Sequence, residues 1–482
     1  MKKILKLSLL VILTLSLFQN CSDDYDDVIN YRSTNEFIWK GLNQYYYWQK
    51  DSPDLLDSRF ANENAFQNFL NNYSPEGLFN HLLYQPNVSD KYSVIFNDYT
   101  VLENALQGTS KNSGVEYAFL RKSPGSAEVF GYVRYILPNS DASSKNINRG
   151  DIFYAVNGIP LTADENGRVN APGLSNDTFT LNMADYDSGN ITPNGNSIQL
   201  TKTPYSENPV LIRNVHNVGT KKVGYLMYNG FFSNYQNELN NAFAYFQSEG
   251  ITHLVLDLRY NSGGSVNVAT ELGSMITGQF NGQVFAKQEW NEKRMSFFNA
   301  VNPDALINKF TNTLSNGNAI NSLNLTKLYV LTTRSTASAS ELIINSLRAY
   351  IDVTTIGGVT TGKNVGSITL YDSPTFRKEN LNPNHKYAMQ PIVLKIVNKN
   401  GFGEYSNGFT PNVPFNENIG NLGVLGEDTE PFLNLALNYI NTNGRINPNP
   451  NVEIFEYVTD SKNLDGIEKG MYLENPSNIV RE

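Results

Sequence analysis

Three short stretches of this 482-residue sequence carry side chains and turns suited to nucleophilic catalysis. LVLDLRYNSGGSV, Leu254 to Val266, reads as an apolar strand running into a turn with adjacent glycines. Such a turn lets backbone N–H groups approach a cleft closely enough to form an oxyanion hole, and it serves equally as a plain strand-to-helix connection. TTRSTASASELIINSL, Thr332 to Leu347, is a strand end followed by small residues and a helix. A serine at that helix start would sit at the positive dipole end with little bulk around its hydroxyl, although serines and threonines also gather there as ordinary caps. IGGVTTGKNVGS, Ile356 to Ser367, places Lys363 directly after Gly362 and beyond another strand. An α/β arrangement brings all three stretches together at strand ends, where such folds carry their sites.

Composition removes several competing chemistries. The single Cys excludes a disulfide framework and a thiolate metal cluster, and four scattered His leave little for zinc, so neither metal nor cofactor is expected. The formal charge of −9 provides no cationic field for nucleic acid. His253 lies inside an apolar strand, and His81, His216 and His385 have no acid-and-serine context. GGVTTGKN, Gly357 to Asn364, is one residue short of a phosphate-binding loop, because Asn364 stands where Ser or Thr would ligate magnesium.

Taken together, the three stretches resemble the C-terminal processing peptidases of family S41, which use a Ser/Lys dyad. In that resemblance Ser338 opens the run Ser338-Ala339-Ser340-Glu341 as the nucleophile, and Lys363 follows 25 residues later as the base. The family's D-L-R-x-N-x-G-G turn appears as Asp257, Leu258, Arg259, Asn261, Gly263 and Gly264. One of these glycines would donate an oxyanion-hole N–H beside that of Ala339. Many members carry Gln four residues after the lysine, where this chain has Ser367; Glu341 and Ser367 are candidate supporting residues. A lysine base demands burial, because its ordinary value of about 10.4 leaves it protonated at neutral pH. Ile356, Val359 and Val365 are apolar neighbours in sequence that could supply it.

The elements that must position these residues read as follows. Aromatics at helical spacing between Phe37 and Phe79 predict a helical domain over residues 35–105, with the stripe as core. Short β-prone runs over 106–208 predict a β-rich module, with a long loop or inserted hairpin over about 163–196. Its stretch Tyr135 to Leu161, with Gly150, Asp151, Asn157 and Gly158, resembles a PDZ domain, and Gly114, Val115 and Tyr117 stand at the peptide-carboxylate loop. Residues 209–440 alternate strand and helix, and 441–482 read as a tail with a short strand. The fold class is therefore multidomain α/β: a helical N-terminal domain, a PDZ-like β-rich domain and a ClpP/crotonase-like S41 core.

Lys2, Lys3 and Lys6 precede an apolar run to Phe18 and then Cys21, which resembles a lipoprotein signal over residues 1–20 with Cys21 as the lipidated residue. The acidic run Ser22 to Asp27, within a tether over 21–34, resembles the surface-export tag of Bacteroidetes lipoproteins. The expectation is an envelope protein, lipid-anchored to the outer membrane and facing either the surface or the periplasm, that cleaves exported or unfolded polypeptides near their C-termini. The alternative is a non-catalytic peptide-binding lipoprotein that keeps the PDZ and peptidase folds.

Overall fold

Helix α1 (Thr34–Tyr45) is followed by α2 (Glu63–Leu70) and α3 (Pro75–Leu82), which start where sequence supplies caps: the Asn62 side chain accepts from Ala65 N, and Ser74 accepts from Gly77 N ahead of Pro75. The computed structural model describes residues 32–445, 455–464 and 470–474; the leader, Cys21 and the acidic run lie outside the described residues. Phe37, Tyr45, Tyr46 and Phe79 are buried in one apolar cluster with residues of the α/β core, and the Phe37 ring lies 6.0 Å from that of Phe376. The helical segment is thus built onto the core. Strand β1 (Val94–Phe96) then pairs antiparallel with Ala388–Gln390.

The next region is an antiparallel sheet of β2 (Val115–Arg121), β3 (Val129–Ile136), β4 (Ile152–Val156), β5 (Thr178–Asp187) and β6 (Asn190–Thr201), in the order β6-β5-β4-β3-β2. Val115, Phe119, Val133, Phe153 and Leu181 fill its core. The long polar stretch before Asn196 folds largely as the β5–β6 hairpin. The outer edge of β2 is occupied by the chain's own Glu456–Asp460, paired antiparallel, and Tyr117 N–H donates to Ser461 Oγ at 3.1 Å. Val115 pairs with Ile136, and Gly114 N–H donates to Asn112 Oδ1. The chain's own strand thus covers this edge at Ala118–Arg121, and Ser461 meets Tyr117, directly beside the expected peptide loop of Gly114, Val115 and Tyr117.

A six-stranded sheet carries the three chemistry-bearing stretches. Its members are β7 (Val210–Val218), β8 (Lys221–Tyr228), β9 (His253–Asp257), β10 (Lys327–Thr332), β11 (Asp352–Gly357) and, past β12 (Val365–Ser367) of a neighbouring sheet, β13 (Val413–Pro414). The order is β7-β8-β9-β10-β11-β13, parallel from β8 onward. Parallel strands buried on both faces need near-continuous apolar runs, and the alternation here is between two cores. Leu254 and Leu256 face one side with Phe243 of α4 (Gln236–Glu249), Leu272 of α5 (Val266–Thr277) and Leu342 of α6 (Ala339–Arg348). Val255 faces the other with Phe432 and Leu433 of α7 (Pro431–Asn441). Consequently β9, β10 and β11 release the Gly-Gly turn, Ser338 and Lys363 from their carboxyl ends on one side of the sheet.

A buried ionic network locks this side to the β-rich region. Arg259 pairs with Asp257 at 2.7 Å, with Glu430 at 2.8 Å and with Glu417 at 3.1 Å, while Arg149 reaches Glu417 at 2.7 Å. Burial alone would raise the Glu417 carboxyl, but Arg149, Arg259 and the Tyr260 hydroxyl bring it down to about 2. A depressed carboxyl contributes stability above its unfolded value, about 4.3, and that contribution is lost as pH falls from there toward 2. At neutral pH it amounts to about 3 kcal/mol. Thermal melts of wild type should therefore fall steeply between about pH 4 and 2, and Glu417→Gln should be less stable at pH 7 with a flatter curve. Parallel curves for the two proteins would contradict this assignment.

Candidate active site

The loop leaving β10 is stitched to the turn leaving β9. Thr336 Oγ1 donates to Leu258 O at 2.8 Å, Ala337 N to Asn261 O at 3.1 Å and Ser340 Oγ to Asn261 O at 3.1 Å. These contacts hold Ser338 at the start of α6 with φ +63° and ψ −116°. A side chain rarely adopts such a backbone, and strain of this kind persists only where surrounding contacts over-determine it. Ser338 is fully buried, and its Oγ makes no hydrogen bond among the described residues.

The Gly-Gly turn packs directly against this serine. A Cβ on Gly263 would approach Ser338 Cβ to 2.5 Å and Ser338 Oγ to 2.9 Å, and the glycine's φ of +109° disfavours any side chain. Gly263 N–H, however, donates to Asn261 Oδ1 at 2.8 Å. That amide is consumed within the turn, so the expectation that Gly263 could serve as an oxyanion donor is corrected: its role here is close approach. Among the described residues, Gly264 N–H and Ala339 N–H carry no such bond. Gly263→Ala should lower kcat about 100-fold by displacing Ser338. Parallel kinetics and melts check it; a fully active, well-folded variant would contradict the packing argument.

Glu341 draws the two candidate catalytic residues together. Its Oε2 accepts Ser338 N–H at 2.9 Å and Lys363 N–H at 2.8 Å, while Oε1 accepts Gly362 N–H at 2.7 Å and Thr360 Oγ1 at 2.5 Å. Burial raises this carboxyl, and the four donors oppose that rise. Lys363 is also buried, with Nζ 4.2 Å from the centroid of the Tyr92 ring. No Ser338–Lys363 side-chain hydrogen bond is formed, since Ser338 Oγ is unpartnered. Ser367 sits on β12, where its N–H and Oγ both donate to Met471 O, at 2.9 and 3.3 Å.

Ser262, Ala337 and Thr360 line a cavity of about 560 Å³ beside the buried serine. A second cavity, about 630 Å³, lies between the β2–β3 sheet and the core, and the two share Arg334, Val359 and Tyr457. Among the described residues no group of three or more His, Cys, Asp and Glu could hold a metal ion. Sequence reasoning overlooked Asn261 as organiser of the turn, Thr360 as a Glu341 donor, and Tyr92. Asn261 was visible as part of the D-L-R-x-N-x-G-G turn, whereas nothing local marks Tyr92.

Residues 222–375, which contain β9, Ser338 and Lys363, match the model of peptidase family S41, and residues 33–94 match the S41 N-terminal domain. The chain belongs to peptidase family S41. Among its S41 relatives, the carboxyl-terminal-processing protease of Picosynechococcus is 24% identical over 230 residues, covering 47% of this chain and 49% of that protein. A Staphylococcus epidermidis protein described as a CtpA-like serine protease is 26% identical over 147 residues, 30% of this chain and 26% of that one. The chain thus matches half or less of the length of these curated relatives. A Bacteroides fragilis structure assigned to the S41 proteases shares the fold, with a TM-score of 0.61 at 24% identity over 84% of this chain and 97% of that one.

Proposed function

We propose that this S41 chain is a serine endopeptidase in which Ser338 attacks a peptide carbonyl and Lys363 moves the proton. The observation that carries the reading is the shared carboxylate oxygen of Glu341, which sets the Ser338 and Lys363 amides side by side. A rotation of the buried side chains closes the dyad, as catalytic hydrogen bonds commonly tighten only with substrate present. Neutral Lys363 takes the Ser338 proton as Oγ bonds to the carbonyl carbon. The oxyanion then faces the Gly264 and Ala339 N–H groups, and the proton passes to the leaving amine as the C–N bond breaks. Water hydrolyses the acyl-enzyme by the reverse proton path.

The substrate class proposed is exported or unfolded polypeptide cut near its C-terminus, which the resemblance to carboxyl-terminal-processing relatives supports. A PDZ-like role for the β2–β6 sheet and a lipid anchor at Cys21 in the outer membrane belong to the same proposal. The open dyad is the one observation that favours a second reading, a peptide-binding protein without catalysis. Mass spectrometry of an unfolded protein with a tagged C-terminus separates the two. New termini that appear with wild type and disappear with Ser338→Ala support the peptidase, whereas binding without any new terminus overturns it.

A further inference from the structure

Tyr92 reaches the site from a segment that sequence separates widely from Lys363. Asp90, itself buried, pins that segment: its Oδ2 accepts the Tyr46 hydroxyl at 2.7 Å, and its Oδ1 accepts Tyr92 N–H at 3.1 Å and Ser93 N–H at 2.9 Å. Ser93 Oγ accepts Ile392 N–H at 2.9 Å, and β1 follows at once, paired with Ala388–Gln390. The ring is therefore fixed to the core from both sides of its backbone. Its face lies 4.2 Å from Lys363 Nζ, well inside the roughly 6 Å over which a cation feels an aromatic quadrupole.

Resting on the peptidase reading above, we propose that Tyr92 of the N-terminal domain is a positioning residue for Lys363, holding Nζ in place and stabilising the ammonium that forms when it takes the Ser338 proton. A neutral amine gains little from a ring face, whereas an ammonium gains much. The contact therefore strengthens as the proton transfers, which is the condition for assisting the chemical step. Burial pushes the Tyr92 phenol up to about 12, with Glu341 adding to the rise, so the ring stays neutral across the working range. Other titratable groups around the site are Glu341 on α6, Tyr405, whose hydroxyl is raised by burial and then by Glu341, and Lys91 and Arg334, which line the smaller cavity. This role gives the N-terminal domain a part in the chemistry.

The test compares Tyr92→Phe, which keeps the ring face, with Tyr92→Leu and Tyr92→Met, which keep bulk without it. Two readouts are used: kinetics against pH, and the Lys363 side-chain 13Cε titration by NMR, assigned with Lys363→Met. The proposal expects Tyr92→Phe to behave as wild type. In Tyr92→Leu the ammonium loses its stabilising face, so the Lys363 titration and the acidic limb of kcat/KM should move down by about one pH unit. Its kcat should fall about 3- to 10-fold with KM unchanged. Tyr92→Met takes the place of Leu if melting shows the latter misfolded. An unshifted titration in a folded Leu or Met variant, or a Phe variant as impaired as Leu, would overturn the role. Because the NMR arm needs no turnover, an inert wild type would reject the peptidase reading separately.

Discussion

Lys363→Ala is expected to lower kcat about a thousandfold while leaving KM and the melting temperature nearly unchanged. Ser338→Ala should be at least as inert, and the double variant no worse than the worse single one, because nucleophile and base act as a unit. The size follows from the role. Without a base beside it, the Ser338 hydroxyl must lose its proton to water at neutral pH, and a positioned base contributes about 10²- to 10⁴-fold. Truncating a buried lysine takes a polar head group out of a desolvated place, so a loss of activity caused by unfolding is not expected; melts run beside the kinetics check this. A Lys363→Ala protein that retains more than a tenth of wild-type kcat would contradict a lysine base.

Glu341→Ala should be nearly as damaging, through structure as well as chemistry. Three backbone N–H groups and the Thr360 hydroxyl converge on this one carboxylate. Leaving a buried donor unsatisfied costs about 1–3 kcal/mol. Even with relaxation and water entry, the variant should lose about 3–5 kcal/mol of stability in denaturant titration. Ser338 and Lys363 lose their common anchor as well, so kcat should fall about 100-fold or more. Glu341→Gln keeps one accepting oxygen and turns an NH₂ toward the remaining donors; it should fall between wild type and Glu341→Ala in stability. An Ala variant with wild-type kcat would remove Glu341 from the account.

Whatever depended on local pattern could be read from the chain. The runs His253–Asp257 and Lys327–Thr332 are buried strands because each is a short apolar segment, and Asp352–Gly357 is one through its β-branched Val353, Thr354, Thr355 and Ile356. Their parallel alternation with helices puts Gly264, Ser338 and Lys363 on one side of the sheet. The α1 aromatics likewise read as core, and they are buried in one. What escaped was non-local. Pairing of Glu456–Asp460 with β2, more than 300 residues away in sequence, leaves no trace in either segment's periodicity, yet it fills the sheet edge beside the expected peptide loop. The consumption of the Gly263 amide by Asn261 Oδ1 depends on one side-chain rotamer in a tight turn. Tyr92 over Lys363 and Arg149 on Glu417 are contacts across regions whose docking no single stretch encodes.

The central claim is that Ser338 and Lys363 together cleave peptide bonds. Its most direct test is casein incubated with wild type, Ser338→Ala and Lys363→Ala, followed by release of soluble peptides over time at matched folded concentration. Hydrolysis by wild type alone is the expected result. Equal inertness of all three proteins, or undiminished hydrolysis by either variant, would contradict it.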